Sequence, residues 1–226
     1  MSVPWTVVLP VKPFAVGKSR LALWAGTRRA ALAGAFYADT LDAVLAAATV
    51  GLVVVVTDEP LAAARAAASG ALPLADRPRS GLNAAALHGA SYARALAPAA
   101  PVAVLAADLP ALRPAELDRV LTSAARHPRA FLADHTGRGT TVLTAAAGQP
   151  LRPAFEGPSQ RNHRLGGAQE LAGVHAPSVR LDVDTVDDLR LAEQLGLGPH
   201  TDRALSVPGP GVRTPTAPAG FGGADR

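Results

Sequence analysis

The sequence predicts an α/β fold, a mostly parallel mixed sheet flanked by helices, in the Rossmann-like manner. Strand-like and helix-like segments alternate along most of the chain. The strand-like runs are continuously apolar, as strands covered on both faces must be. The segments between them space their apolar residues as one face of a helix does.

The elements follow in order. "WTVVLPV", from Trp5, reads as a first strand, and "TRRAALAGAFYADTLDAVLAAA", from Thr27, as a helix. "GLVVVVTD", from Gly51, is β-branched and uninterrupted, so it reads as a buried strand. "EPLAAARAAAS" is an alanine-rich helix closed by Gly70, and "LNAAALHGASYARALA", from Leu82, is another helix. "VAVLAAD", Val102 to Asp108, is a strand. "RPAELDRVLTSAARH" carries Pro114 at a first helical turn. "RAFLAD" and "TTVLTAA" read as strands, and "SVRLDVDTVDDLRLAEQLG" as a strand followed by a helix. One domain is expected over residues 1–197. Residues 198–226 are rich in Pro, Gly and Thr without a periodic apolar face, so a disordered tail is expected there. Removing 199–226 is accordingly expected to change neither activity nor melting temperature.

Bulk composition narrows the function. With 226 residues and 49% hydrophobic content, the chain can bury one sizeable core. No apolar stretch is long enough to span a bilayer, and the start lacks a basic segment ahead of its apolar run. The absence of cysteine removes disulfides, thiolate metal sites and thiol nucleophiles. A cytoplasmic protein without a membrane partner is expected. The net charge of +4 comes almost wholly from arginine, which with the alanine content points to coding bias. Aromatic content of 4% is too low for base-stacking platforms, so no nucleic-acid partner is expected.

Ligands of such sheets bind beyond the carboxyl ends of the strands. "VLPVKPFAVGKSRL" follows the first strand and holds both lysines of the chain, Lys12 and Lys18, with Arg20 beside them. Its "GKS" lacks the upstream glycine of a phosphate-binding P-loop, and no dinucleotide glycine pattern is present. Three cations in one loop are either a solvated basic loop or a clamp for a polyphosphate, where they would stabilise charge on a leaving pyrophosphate. Asp108 ends an apolar run just before Leu-Pro. Taken singly it is either a turn residue or a placed carboxylate. In "RLDVDT", Asp182 and Asp184 alternate, and on a strand both would face one side of the sheet. Three oxygen donors from separate segments suit Mg2+, with phosphates and water completing its shell. Asp187 and Asp188 read as acids of a first helical turn, and Asp184 competes with Thr185 for the helix cap. "RSGLNAAALHGA" makes a glycine-led turn into a helix, presenting free amides. The same residues also fit an ordinary helix start with Asn83 near the cap. His88, within an alanine-rich helix, reads as packed.

Taken in order, "VLPVKPFAVGKSRL", "SGLNAAALHGA", "LAADLPAL", "GRGTTVL", "PSQRNHRLGGAQEL" and "LDVDTVDDL" resemble the phosphoenolpyruvate/2-phospho-L-lactate guanylyltransferases of coenzyme F-420 biosynthesis. These belong to the nucleotidyltransferase class that includes the molybdenum-cofactor guanylyltransferases. The resemblance covers nearly the whole domain and leaves the tail unmatched. It implies a GT-A-like nucleotidyltransferase fold and transfer of GMP from GTP to phosphoenolpyruvate, with pyrophosphate leaving. It also implies that Asp108, Asp182 and Asp184 bind Mg2+, that Asp108 with Lys12, Lys18 and Arg20 serves the chemistry, and that Thr140 and Ser159 contact the phospho-acid. Ser80, Gly81 and Asn83, with Lys12 and Lys18, are the implied nucleotide-binding residues. Where the family carries a glycine after the phenylalanine of this segment, the chain has Glu156 and then Gly157. Either a Glu156 amide or Gly157 fills that place. Arg161 or His163 could neutralise the acid, although His163 is equally read as lying behind the pocket.

The attacking phosphate is already ionised, so the reaction needs positioning and charge neutralisation and no general base. Rival expectations are 2-phospho-L-lactate as acceptor, another small-molecule nucleotidyltransferase or a nucleotide-sugar glycosyltransferase of the same fold, and a non-catalytic GTP-binding regulator. Expected partners are GTP and the phospho-acid. A homodimer and hand-off of the product to the next enzyme of the pathway are left open.

Overall fold

A computed structural model describes residues 3–16, 21, 25–77 and 79–206. Its strands are β1 (Trp5–Val11), β2 (Val50–Thr57), β3 (Leu72–Leu74), β4 (Val102–Leu105), β5 (Arg129–Ala133), β6 (Thr140–Ala145) and β7 (Gln169–Glu170). Its helices are α1 (Arg29–Leu45), α2 (Pro60–Ala68), α3 (Leu82–Leu96), α4 (Pro114–Ala124), α5 (Ser159–Leu165), α6 (Pro177–Arg180), α7 (Val186–Leu195) and α8 (Pro199–Ser206). The strands form one sheet in the order β3-β2-β1-β4-β6-β5-β7. β3, β2, β1 and β4 run parallel, whereas β6 is antiparallel to both β4 and β5.

The pleat of β1 explains the layers. Val7 and Leu9 face a core shared with Tyr37 and Leu41 of α1, whereas Val8 faces one shared with Ala86 and Ala90 of α3. β2 divides in the same way, with Val53 and Val55 on one face and Val54 and Val56 on the other. The sheet is therefore covered on both sides, which is why its strands read as unbroken apolar runs. Helix α3 comes very close to it at Gly89, where a Cβ would stand 2.4 Å from Val8 and 2.7 Å from Val56.

Topology sets the rim. The chain leaves β1 for β2 on one side and returns to β4 on the other, so the crevice between the ends of β1 and β4 is a topological switch point. Because β6 runs against β4, with Leu105 opposite Val142, the start of β6 lies beyond the end of β4. The end of β5 is there too, since Ala133 pairs with Thr140. Lys12, Asp58, Asp108, Asp134 and Thr140 thus share one rim.

Three expectations need correction. "SVRLDVDT" is no strand: Pro177 opens the one-turn helix α6, and residues 181–184 run on without a ladder of their own. Strand β4 stops at Leu105, so Asp108 sits in the loop beyond it. The chain also does not lose order at 198, because α8 spans Pro199–Ser206. Residues 207–226 lie outside the described residues. Short Leu72–Leu74, Gln169–Glu170 and α5 had no strong periodic signal and are seen only in the fold.

Helix α8 is tied down at both ends. The buried carboxylate of Asp39 on α1 accepts the amides of His200 (2.9 Å) and Thr201 (2.8 Å). Arg28 donates to the carbonyls of Ala204 and Leu205 at the far end. Both residues pack on a core formed with Phe36, Leu181 and Leu189. Deleting 199–226 therefore strips a buried carboxylate of two donors, a loss of about 2 kcal/mol before any lost packing. We expect the truncated chain to melt about 5 °C or more below the full chain in a thermal scan; an unchanged midpoint would show that α8 contributes nothing.

Candidate active site

The question posed by Asp108 before Leu-Pro has a structural answer. Leu109 is fully buried, and its amide donates to the Thr40 hydroxyl (2.9 Å), which itself donates to Phe36 O (2.8 Å) within α1. The carbonyl of Pro110 accepts from Gly198 (2.8 Å). Both anchors pull the chain into the core immediately after Asp108 and leave that residue at the rim. The carbonyl of Asp108 accepts the amide of Val183 (3.1 Å), which lays residues 181–184 alongside 106–109.

That pairing brings Asp182 beside Asp108. The Asp182 carboxyl is pushed up to about 7, first by burial and then by the negative charges of Asp108, Asp184 and Asp134. Asp184 is not the helix cap. Thr185 is, accepting from Asp188 N (3.2 Å), while the Asp188 carboxylate accepts from the Thr185 and Asp184 amides. Asp187 pairs with Arg190, so the first-turn reading of both later acids holds. Asp182 and Asp184 are neighbours of Asp108 by way of a bent connection instead of a shared sheet face. Among the described residues no three His, Cys, Asp or Glu side chains stand as a ready-made metal cage.

On the β1 side, Lys12 is exposed and its segment is fastened from both flanks. The Thr57 hydroxyl donates to Val11 O (2.9 Å), and Phe14 N donates to the Glu59 carboxylate (3.0 Å). Lys18 and Arg20 lie outside the described residues.

The third group gathers around residues 154–159. Gly81 precedes α3 and faces Glu156, whose carboxylate oxygen would lie 3.4 Å from a Cβ on Gly81. Asn83 Oδ1 accepts the Phe155 amide (2.8 Å), and Asn162 donates to Glu156 O (2.9 Å). Gly157 has φ +66°, a conformation open to glycine and costly for glutamate, so Gly157 and not Glu156 answers a need for positive φ. Ser159 is buried at the start of α5, and Ser80 is exposed at the turn before α3. Thr140 bonds to His163 Nδ1 (3.0 Å), and His163 Nε2 accepts the Ala154 amide (2.9 Å). Burial lowers the His163 pKa to about 4, so the ring is neutral near pH 7 and does not neutralise an acid.

Sequence reasoning missed Asp134 and Thr40. Asp134 directly follows β5 and closes an apolar run in the sequence as Asp108 does, a signal that was present. Its carboxylate holds the β5–β6 turn by accepting from Thr136, Arg138 and Gly139. Thr40 is a polar residue on the buried face of an amphipathic helix, which only packing reveals. An open cleft of about 600 Å³ flanks the rim near Asp134. Arg180, which lines it, donates to the carbonyls of Ala133, Leu171 and Val174.

The sheet resembles solved structures of a nucleotidyl transferase from Methanothermobacter thermautotroptrophicus (TM-score 0.58, 18% identity, 86% of this chain and 98% of that one). It also resembles 4-diphosphocytidyl-2C-methyl-D-erythritol synthase (TM-score 0.57, 14% identity, 86% and 99%). Residues 30–173 match the MobA-like NTP transferase domain. A phosphoenolpyruvate guanylyltransferase of Streptomyces scabiei is 54% identical over 91% of this chain and 99% of its own. One of Thermomonospora curvata is 52% identical over 87% and 86%. The chain belongs to the MobA-like NTP transferases and, within them, to the phosphoenolpyruvate guanylyltransferase family.

The raised Asp182 carboxyl has a stability signature. Its folded pKa lies above the ordinary value near 4, so ionisation opposes folding. The penalty is absent below about pH 4, grows up to about 7 and is complete above that. In chelator-treated protein, Asp182→Asn is expected to raise the melting temperature clearly at pH 8 and little at pH 4.5. Thermal unfolding at both pH values checks this; equal gains would remove the charge crowding.

Proposed function

We propose that the chain transfers GMP from GTP to phosphoenolpyruvate, forming enolpyruvoyl-2-diphospho-5'-guanosine and pyrophosphate, a step in coenzyme F-420 biosynthesis. The family supplies the reaction class. The observation that carries it here is the crowding of Asp108, Asp182 and Asp184 at the switch point, opposite the Lys12 loop. Such crowding suits a hard cation between the carboxylates and the phosphates of a nucleotide.

An oxygen of the acceptor phosphate attacks the α-phosphorus of GTP, and the bond from that phosphorus to the β-phosphate oxygen breaks. Both participants are anions, so the protein's work is alignment and charge compensation. Lys12, with Lys18 and Arg20, compensates the charge on the departing pyrophosphate. Asp108 and Asp182, with Asp184, would hold Mg2+, whose few carboxylate ligands and retained waters need no preformed cage. When bound, Mg2+ supplies neutralisation and alignment of the attacking and leaving oxygens. The nucleotide lies along Ser80, Gly81 and Asn83. With Oδ1 of Asn83 engaged by Phe155, its NH2 group is the part left to donate, which suits the O6 or N7 acceptors of guanine. Thr140, Ser159 and the turn at Glu156 and Gly157 receive the acceptor's carboxylate and phosphate. Among the described residues no helix is long and apolar enough to cross a membrane, in keeping with a cytoplasmic enzyme.

Pyrophosphate release from GTP is expected only with Mg2+ and phosphoenolpyruvate together. An assay across phosphoenolpyruvate, 2-phospho-L-lactate, 3-phosphoglycerate and glucose 1-phosphate tests it, and turnover with the sugar phosphate alone would overturn it. Asp108→Asn should lower kcat by at least about 100-fold while the circular dichroism spectrum is unchanged. Full activity of that variant would remove Asp108 from the chemistry.

A further inference from the structure

His163 is 2% exposed and lies 23 residues from Thr140, on a different element. Its two nitrogens are both engaged, and one partner is unambiguous. A backbone amide can only donate, so Ala154 N–H at 2.9 Å forces Nε2 to be an acceptor. In a neutral ring the proton is then on Nδ1, and Nδ1–H must donate to Thr140 Oγ1 at 3.0 Å. The ring is clamped against rotation by the edge-on ring of Phe155, 4.9 Å away, and by Phe131 at 5.9 Å. Burial holds it neutral.

The consequence falls on Thr140. A threonine hydroxyl has one proton and two lone pairs, and left alone it can rotate to donate or to accept. Once it accepts from His163, its own proton is turned away from the ring. We propose that His163 is a positioning residue that sets the Thr140 hydroxyl as a standing donor toward an anionic oxygen of the acceptor substrate. It does so by a tautomer that the Ala154 amide fixes. The inference rests on the reading of Thr140 as part of the phospho-acid pocket, and extends it to a buried ring that does not itself touch substrate. The same ring ties that hydroxyl to the 154–157 loop, which Asn83 also holds through Phe155. Proton placement at one side of the pocket is thereby coupled to loop placement at the other.

Two measurements test this. Nitrogen-15 NMR of the histidine rings in the full chain at pH 7, without ligand, should show His163 as the neutral Nδ1–H tautomer. An Nε2–H tautomer or an imidazolium would overturn the proposal. In the pyrophosphate assay, His163→Leu should raise KM for phosphoenolpyruvate about tenfold, the effect of one lost hydrogen bond to an anion, with KM for GTP unchanged. His163→Asn, which can still donate to Oγ1, should recover most of that loss. Thr140→Val should raise the same KM by a similar factor, and the double variant His163→Leu/Thr140→Val should be no worse than either alone. Parallel rises in both KM values, or additive effects of the two substitutions, would show a merely structural histidine. Should the wild-type protein release no pyrophosphate with any phospho-acid, the functional reading fails, while the tautomer measurement still decides the role of the ring.

Discussion

Everything at the rim depends on one backbone hydrogen bond, from Val183 N to Asp108 O. It splices two segments that are distant in sequence and sets their acidic side chains next to each other, against their mutual repulsion. The fold meets that cost elsewhere. Thr40 caps the Leu109 amide, Pro110 O receives Gly198, and Thr185 with Asp188 closes α7 just beyond Asp184. Each anchor uses groups other than the rim carboxylates. Burial first, and then the neighbouring charges of Asp108, Asp184 and Asp134, raise the Asp182 carboxyl. A buried carboxyl with a raised pKa among other acids marks a candidate functional site.

The opposite side of the pocket solves a different problem. On the proposed reading, a small phospho-acid offers only acceptors, so its site needs donors fixed in direction. The buried His163 ring, the Ala154 amide and the Asn83 carboxamide arrange those donors with neutral groups, which costs far less than burying a charge. On the same reading, positive charge is proposed for the loop after β1, where polyphosphate charge would change during the reaction.

Much of this was legible in the sequence because the sheet is covered on both faces. Unbroken runs such as "GLVVVVTD" announce buried strands, and parallel strands announce where a ligand will bind. Asp108, Asp182 and Asp184 stand out in the sequence by their positions after apolar runs. Their route to one another was misread, because "RLDVD" alternates like a strand while Pro177 and the absence of a free partner strand leave it a connection. The helix α8 was hidden for a related reason. Its eight residues are mostly polar, and its order comes from Asp39 and Arg28 far away in the chain, a tertiary contribution that composition does not carry. The positive φ of Gly157 and the two hydrogen bonds of the His163 ring are visible only in the structure.

The central claim is that carboxylates from separate segments crowd at one rim to receive a divalent cation. The most direct measurement is a carbon-13 NMR titration of the Asp182 carboxyl, first with chelator and then with added Mg2+. The account predicts a midpoint near pH 7 without metal, falling below the ordinary carboxylate range when Mg2+ is present. A midpoint near 4 in both conditions would contradict it.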